Sequence, residues 1–94
     1  MRLTQSQREV IRATCMAAFN SDTHIWLFGS RLNDAQRGGD IDLYVETGPH
    51  RLMDELRCKI RLEDQLQIPV DLTVRKPHDT SPIASIAKHQ GHRL

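Results

Sequence analysis

The sequence is poor in aromatic side chains, with two Phe, one Trp and one Tyr in 94 residues. Any core it builds must be mainly aliphatic. Cysteine is scarce as well: two residues are too few for the disulfide framework of a small secreted domain. Cys15 and Cys58 fall in helix-like segments and form no CxxC pair. They read as reduced, partly buried thiols rather than a disulfide or a metal site. The five histidines have no zinc-ligand spacing with either cysteine. Five Gly and four Pro exclude collagen-like and low-complexity chains. No stretch approaches the ~20 apolar residues of a membrane helix. The start, MRLTQSQREV, has no apolar h-region. The expectation is a cytoplasmic protein without membrane contact. Neither charge sign dominates, with 13 Lys and Arg against 12 Asp and Glu. That excludes both a basic nucleic-acid footprint and an acidic solvating tail. The length suits one domain over residues 1–94, with no room for a separate substrate domain.

What is present is ordered by periodicity. Thr4 to about Asn20 carries Val10, Ile11, Thr14, Cys15, Ala18 and Phe19 at helical spacing, with Thr4 or Ser6 as its cap. His24–Phe28 is a short β-prone run stopped by Gly29. Asp40–Glu46 alternates polar and apolar, as a strand with one buried face does. Leu52 to Gln67 is helical in composition, with Leu52, Leu56, Ile60, Leu62 and Leu66 on one half of the wheel. Lys59 and Glu63 fall in the same arc. Either they pair across its edge, or the segment is two helices with a break. Val70–Val74 alternates again, and Ser81-Pro82 opens a last helix with Ile83, Ile86, Ala87 and Gln90 on one side and Gly91 at its end. The order α-β-β-α-β-α predicts an α+β fold. The first two strands should be antiparallel and the third parallel to the second, giving a small mixed sheet with helices on one face.

The chemistry concentrates in two places. Asp40 and Asp42 lie two apart on a strand and so share a face, opposite Ile41, Leu43 and Val45. Asp71 interrupts the apolar third strand between Val70 and Leu72. If that strand lies beside the second, the three carboxylates form the oxygen-rich site that Mg²⁺ requires. Like charges so placed would repel without a cation between them. Phe28-Gly29-Ser30-Arg31 follows the first strand directly. A glycine lets backbone approach a phosphate, a serine hydroxyl donates to it, and an arginine adds a charged fork. The segment is no Walker A loop, since it has no Gly-Lys-Ser/Thr.

Together, Gly29-Ser30, Asp40-x-Asp42 and Asp71, set in LFGSR, GDIDLYV and VDLTV, resemble the nucleotidyltransferase signature of the DNA polymerase β-like superfamily. A chain this short is similar to the minimal nucleotidyltransferase (MNT) proteins, typically antitoxins of HEPN/MNT pairs. One departure is the nine-residue gap between Ser30 and Asp40, where ten is commoner. The resemblance implies that Gly29 and Ser30 hold the triphosphate of ATP, with Arg31 as a further phosphate contact and Lys76 as a lesser one. It implies that Asp40, Asp42 and Asp71 bind two Mg²⁺ ions, and that Asp71 favours loss of the acceptor's proton. The implied reaction is transfer of AMP to a tyrosine hydroxyl of a HEPN-type toxin, switching it off. The alternative is a nucleotide-binding antitoxin that masks its partner without catalysis. No direct nucleic-acid contact is expected, and a homo- or hetero-oligomer is possible under either reading.

Overall fold

The computed structural model describes residues 3–29 and 40–94. Within them the elements are α1 (Gln5–Ala18), β1 (His24–Phe28), β2 (Ile41–Glu46), α2 (Leu52–Leu66), β3 (Val70–Arg75), α3 (Pro82–Gln90) and β4 (His92–Arg93). The strands form one sheet in the order β3-β2-β1-β4. β1 pairs antiparallel with β2, and β3 parallel with β2, as the loop lengths predict. The α+β mixed-sheet expectation holds.

Each element has a local cause. At α1 the choice between Thr4 and Ser6 falls to Thr4. Its hydroxyl accepts from the Gln7 N–H (3.1 Å), and its own N–H donates to the Gln7 side chain (2.8 Å). This reciprocal box satisfies two helix-end groups that would otherwise need water. At α3 the Ser81 hydroxyl accepts from the Ala84 N–H, with Pro82 in the first turn.

Alternation along β1 and β2 sends Ile25, Leu27, Ile41, Leu43 and Val45 to one side of the sheet. There they meet Ile11 and Cys15 of α1 and Cys58 and Leu62 of α2. The two thiols are buried and free, with their sulfurs 3.7 Å apart, in keeping with the reduced reading. Burial beside a second sulfur pushes the Cys15 thiol well above its usual range.

The expectation that helices cover one face needs correction. α1 and α2 do share a face, but α3 lies on the other. There Ala84 and Ala87 pack against Tyr44, with Trp26, Phe28 and Ile83 around them. Of the predicted side, Ala87 is buried and Ile83 packs against the cluster, but Ile86 is 47% exposed and Ala84, not predicted, is buried instead. Three of the chain's four aromatic rings sit on this face, and Ala84 and Ala87 let the helix backbone come close above them.

α2 needs a second correction. It is one unbroken helix, and Lys59 and Glu63 pair at 2.9 Å. Leu62 is buried as expected, but Leu52 (69%), Leu56 (44%) and Ile60 (63%) are exposed, beside Met53 (53%). The helix is apolar around more of its circumference than the sheet can cover.

β4 escapes sequence reading, because two residues cannot show alternation. It is held by its ladder to β1 and by Leu94 N–H donating to Ile25 O (2.9 Å). Gly91 makes the passage from α3 possible. A Cβ there would stand 2.3 Å from Ala87 O and 2.7 Å from Leu27 O.

Candidate active site

Strand register assembles the site. In the antiparallel ladder Phe28 faces Asp42, and in the parallel ladder Asp42 faces Asp71. Residues opposite one another in adjacent strands share a face, so the carboxylates of Asp42 and Asp71 lie side by side. The face is the one α3 occupies, because Asp42, Tyr44 and Glu46 alternate with Leu43 and Val45. Asp42 is half-buried and Asp71 exposed, at the end of the face that opens to solvent. Asp40 is exposed and immediately precedes β2.

Gly29 stands against this pair. Its φ of +83° belongs to the left-handed region that glycine enters without penalty. A Cβ at this position would lie 2.2 Å from Asp42 Oδ2. The missing side chain is space that the Asp42 carboxylate uses. Ser30 and Arg31, the other residues of the expected phosphate loop, lie outside the described residues, as does the 32–39 segment.

Among the described residues no three His, Cys, Asp or Glu side chains gather into a metal site of their own. The donor chemistry nonetheless suits Mg²⁺. This ion is commonly held by one or two carboxylates, with substrate phosphates and water completing its octahedron. Asp42 and Asp71 are two hard oxygen donors in register, with the Asp42 carboxylate seated against Gly29.

Lys76 does not join them. It follows the far end of β3 and lines an apolar recess with Thr47, Pro49, His50 and Pro77, five positions along the chain from Asp71. Beside this recess His50 bridges to Glu55 at 2.6 Å. Its Gly48 carbonyl contact and the Glu55 carboxylate raise the imidazole above its usual range despite burial.

At the end of the face opposite Asp42 lies a buried polar knot that sequence reading missed. The Tyr44 hydroxyl donates to Glu46 Oε2 (2.8 Å), His78 N–H donates to Oε1 (3.2 Å), and Lys88 Nζ bonds the same carboxylate. Burial alone would raise the Glu46 carboxyl, yet these donors hold it below its ordinary range. Burial and the Glu46 carboxylate push the Tyr44 hydroxyl up. Glu46 shares the alternation phase of Asp42, which was the available signal. The partner Lys88 came from a helix not expected on this face.

A small mixed sheet with two register-paired aspartates beside a left-handed glycine defines the class: an α+β domain whose strands bring two carboxylates together next to a glycine turn. The profile of the nucleotidyltransferase domain family matches residues 9–90, and the chain belongs to that family. No curated protein matches the chain. Membership makes nucleotidyl transfer the general activity of the fold, and such domains generally use a nucleoside triphosphate and Mg²⁺. Among the described residues no helix is long and apolar enough to cross a membrane.

Proposed function

We propose that this protein transfers AMP from ATP to a hydroxyl, most simply a tyrosine, of a HEPN-type toxin and so acts as its antitoxin. The observation that carries the catalytic part is the Asp42–Asp71 register pair beside Gly29. Asp40, Asp42 and Asp71 would hold two Mg²⁺ ions, and Gly29, Ser30 and Arg31 would hold the phosphates. Bound there, Mg²⁺ would offset the triphosphate's charge and acidify the acceptor hydroxyl.

The remaining steps fall to the chain. The missing side chain at Gly29 gives the Asp42 carboxylate its place against the backbone that leads into the phosphate contacts. The carboxylate of Asp71 takes the proton that the acceptor hydroxyl loses. The hydroxyl oxygen attacks the α-phosphorus, the bond to the bridging oxygen breaks, and pyrophosphate leaves. α3 covers the part of the face around Tyr44, so the acceptor reaches the site at the Asp42–Asp71 end.

A second reading has its own observation. The exposed Leu52, Met53, Leu56 and Ile60 make an apolar stripe along α2, the kind of surface a masking complex covers. Co-expression with the partner separates the two readings. The intact mass of the partner should rise by whole AMP increments with wild type and stay unshifted with Asp40→Asn/Asp42→Asn, which should also fail to rescue growth. Full rescue by the double mutant, with no mass shift even for wild type, would establish masking instead.

A further inference from the structure

Among the described residues β3 is an edge strand, with β2 on one side only. Its backbone groups alternate in direction. The Pro69 and Arg75 carbonyls turn inward, accepting from Ile41 N–H (2.9 Å) and Thr47 N–H (3.0 Å). Val70 lies between them in phase and turns its N–H and C=O outward, where an edge residue ordinarily meets water or another chain. Here both groups are taken by α2. Val70 N–H donates to Glu63 Oε2 (2.8 Å), Val70 O accepts from Lys59 Nζ (2.7 Å), and Lys59 Nζ donates to the same Glu63 oxygen (2.9 Å). Two side chains one helical turn apart thus imitate a neighbouring strand at a single residue. The Val70 N–H and Lys59 hold the Glu63 carboxyl below its ordinary range.

The location matters. Val70 is buried in the core, and the next residue is Asp71. The Val70 carbonyl belongs to the peptide plane that leads into Asp71, so fixing both backbone groups of Val70 fixes the direction in which Asp71 leaves the strand. We propose that Lys59 and Glu63 are positioning residues that hold the Asp71 carboxylate in register with Asp42, and that the affinity of the site for its divalent cation depends on them. This rests on the proposed reaction for its consequence, but on the hydrogen bonds alone for its geometry.

The test is a double-mutant cycle with Lys59→Met/Glu63→Leu and Asp71→Asn, read by calorimetric titration of Mg²⁺ in the presence of a non-hydrolysable ATP analogue. Removing an outer-shell support of a metal ligand costs about tenfold in affinity or more. We expect that loss in the wild-type background and none further in Asp71→Asn, since the clamp acts through Asp71. Lys59→Arg keeps the donor and should restore most of the affinity. A clamp variant that melts at a lower temperature yet binds Mg²⁺ as wild type does would overturn the proposal, as would equal losses in both backgrounds.

If wild type itself shows no Mg²⁺-dependent binding, the proposed function fails. The clamp is then judged in metal-free protein by nuclear Overhauser contacts between the backbones of Asp42 and Asp71. Their selective loss in the clamp variant, with the Val45–Val74 contacts kept, supports positioning. Their persistence refutes it.

Discussion

The two faces of the one sheet are built on opposite terms. On the face toward α1 and α2, Ile25, Leu27, Ile41, Leu43, Val45 and Val70 are each 3% exposed or less, and helical aliphatics close over them. On the other face a single short helix lies over Trp26, Phe28 and Tyr44 through Ala84 and Ala87, a charged knot is buried at Glu46, and Asp42 and Asp71 stand in register at the opposite end. The same strands make both, because successive residues point to opposite sides. Leu43 in the core and Asp42 in the site are one peptide bond apart, so a strand anchored by close packing carries its carboxylate in a fixed place. The rigid face provides what the open face cannot, since paired carboxylates repel and would not order themselves.

The contrast can be broken most forcefully from the sealed side. Leu43→Ala should cost about 2–5 kcal/mol in chemical denaturation, the usual range for truncating a fully buried leucine. Gly29→Ala should cost about 1–2 kcal/mol for the left-handed backbone. Its sharper effect falls on the site, because the new Cβ needs the volume of Asp42 Oδ2. ATP titration should show binding lost while the circular dichroism spectrum stays unchanged.

The buried knot predicts an acid transition. Folding holds the Glu46 carboxyl below its ordinary value of 4.5, so its contribution is complete above that pH. It is lost as the pH falls through the lower folded value. Melts between pH 6 and 3 should lose this part of the acid sensitivity in Glu46→Gln.

Smaller effects sharpen the picture. Gln67 ends α2 at φ 57°, in the left-handed region. Gln67→Gly should stabilise by about 1 kcal/mol or less, measured by thermal melts. Asp42→Asn should change metal-free stability least. Relief of a like-charge cross-strand pair is worth about 0.2–1 kcal/mol at most, while the same substitution removes stabilisation by Mg²⁺ with ATP.

Strand phase, the cap at Ser81 and the position of the aspartates were legible from residue order alone. A period of two is intrinsic to extended backbone, and Asp40, Asp42 and Asp71 interrupt it visibly. The choice between one helix and two at Lys59 and Glu63 was not legible. Neither residue's purpose is local, because both reach Val70 across a chain turn. The exposed leucines of α2 misled for a related reason. A helical wheel shows that a stripe is apolar, and says nothing of how wide a neighbour stands ready to cover it.

The sequence by itself therefore determined the order of the elements, the alternation of each strand, the cap at Ser81 and the family signature. These follow from periodicity and from short-range backbone chemistry. β2 is buried on both faces at Tyr44 and Glu46, where one buried face was expected. Only the tertiary structure decided which face α3 would take, that β4 would pair with β1, that Lys88 would meet Glu46, and that Asp42 and Asp71 would stand in register. Those outcomes depend on the relative volumes of distant side chains and on pairing between strands remote in sequence. Such quantities come into being only when the chain is packed.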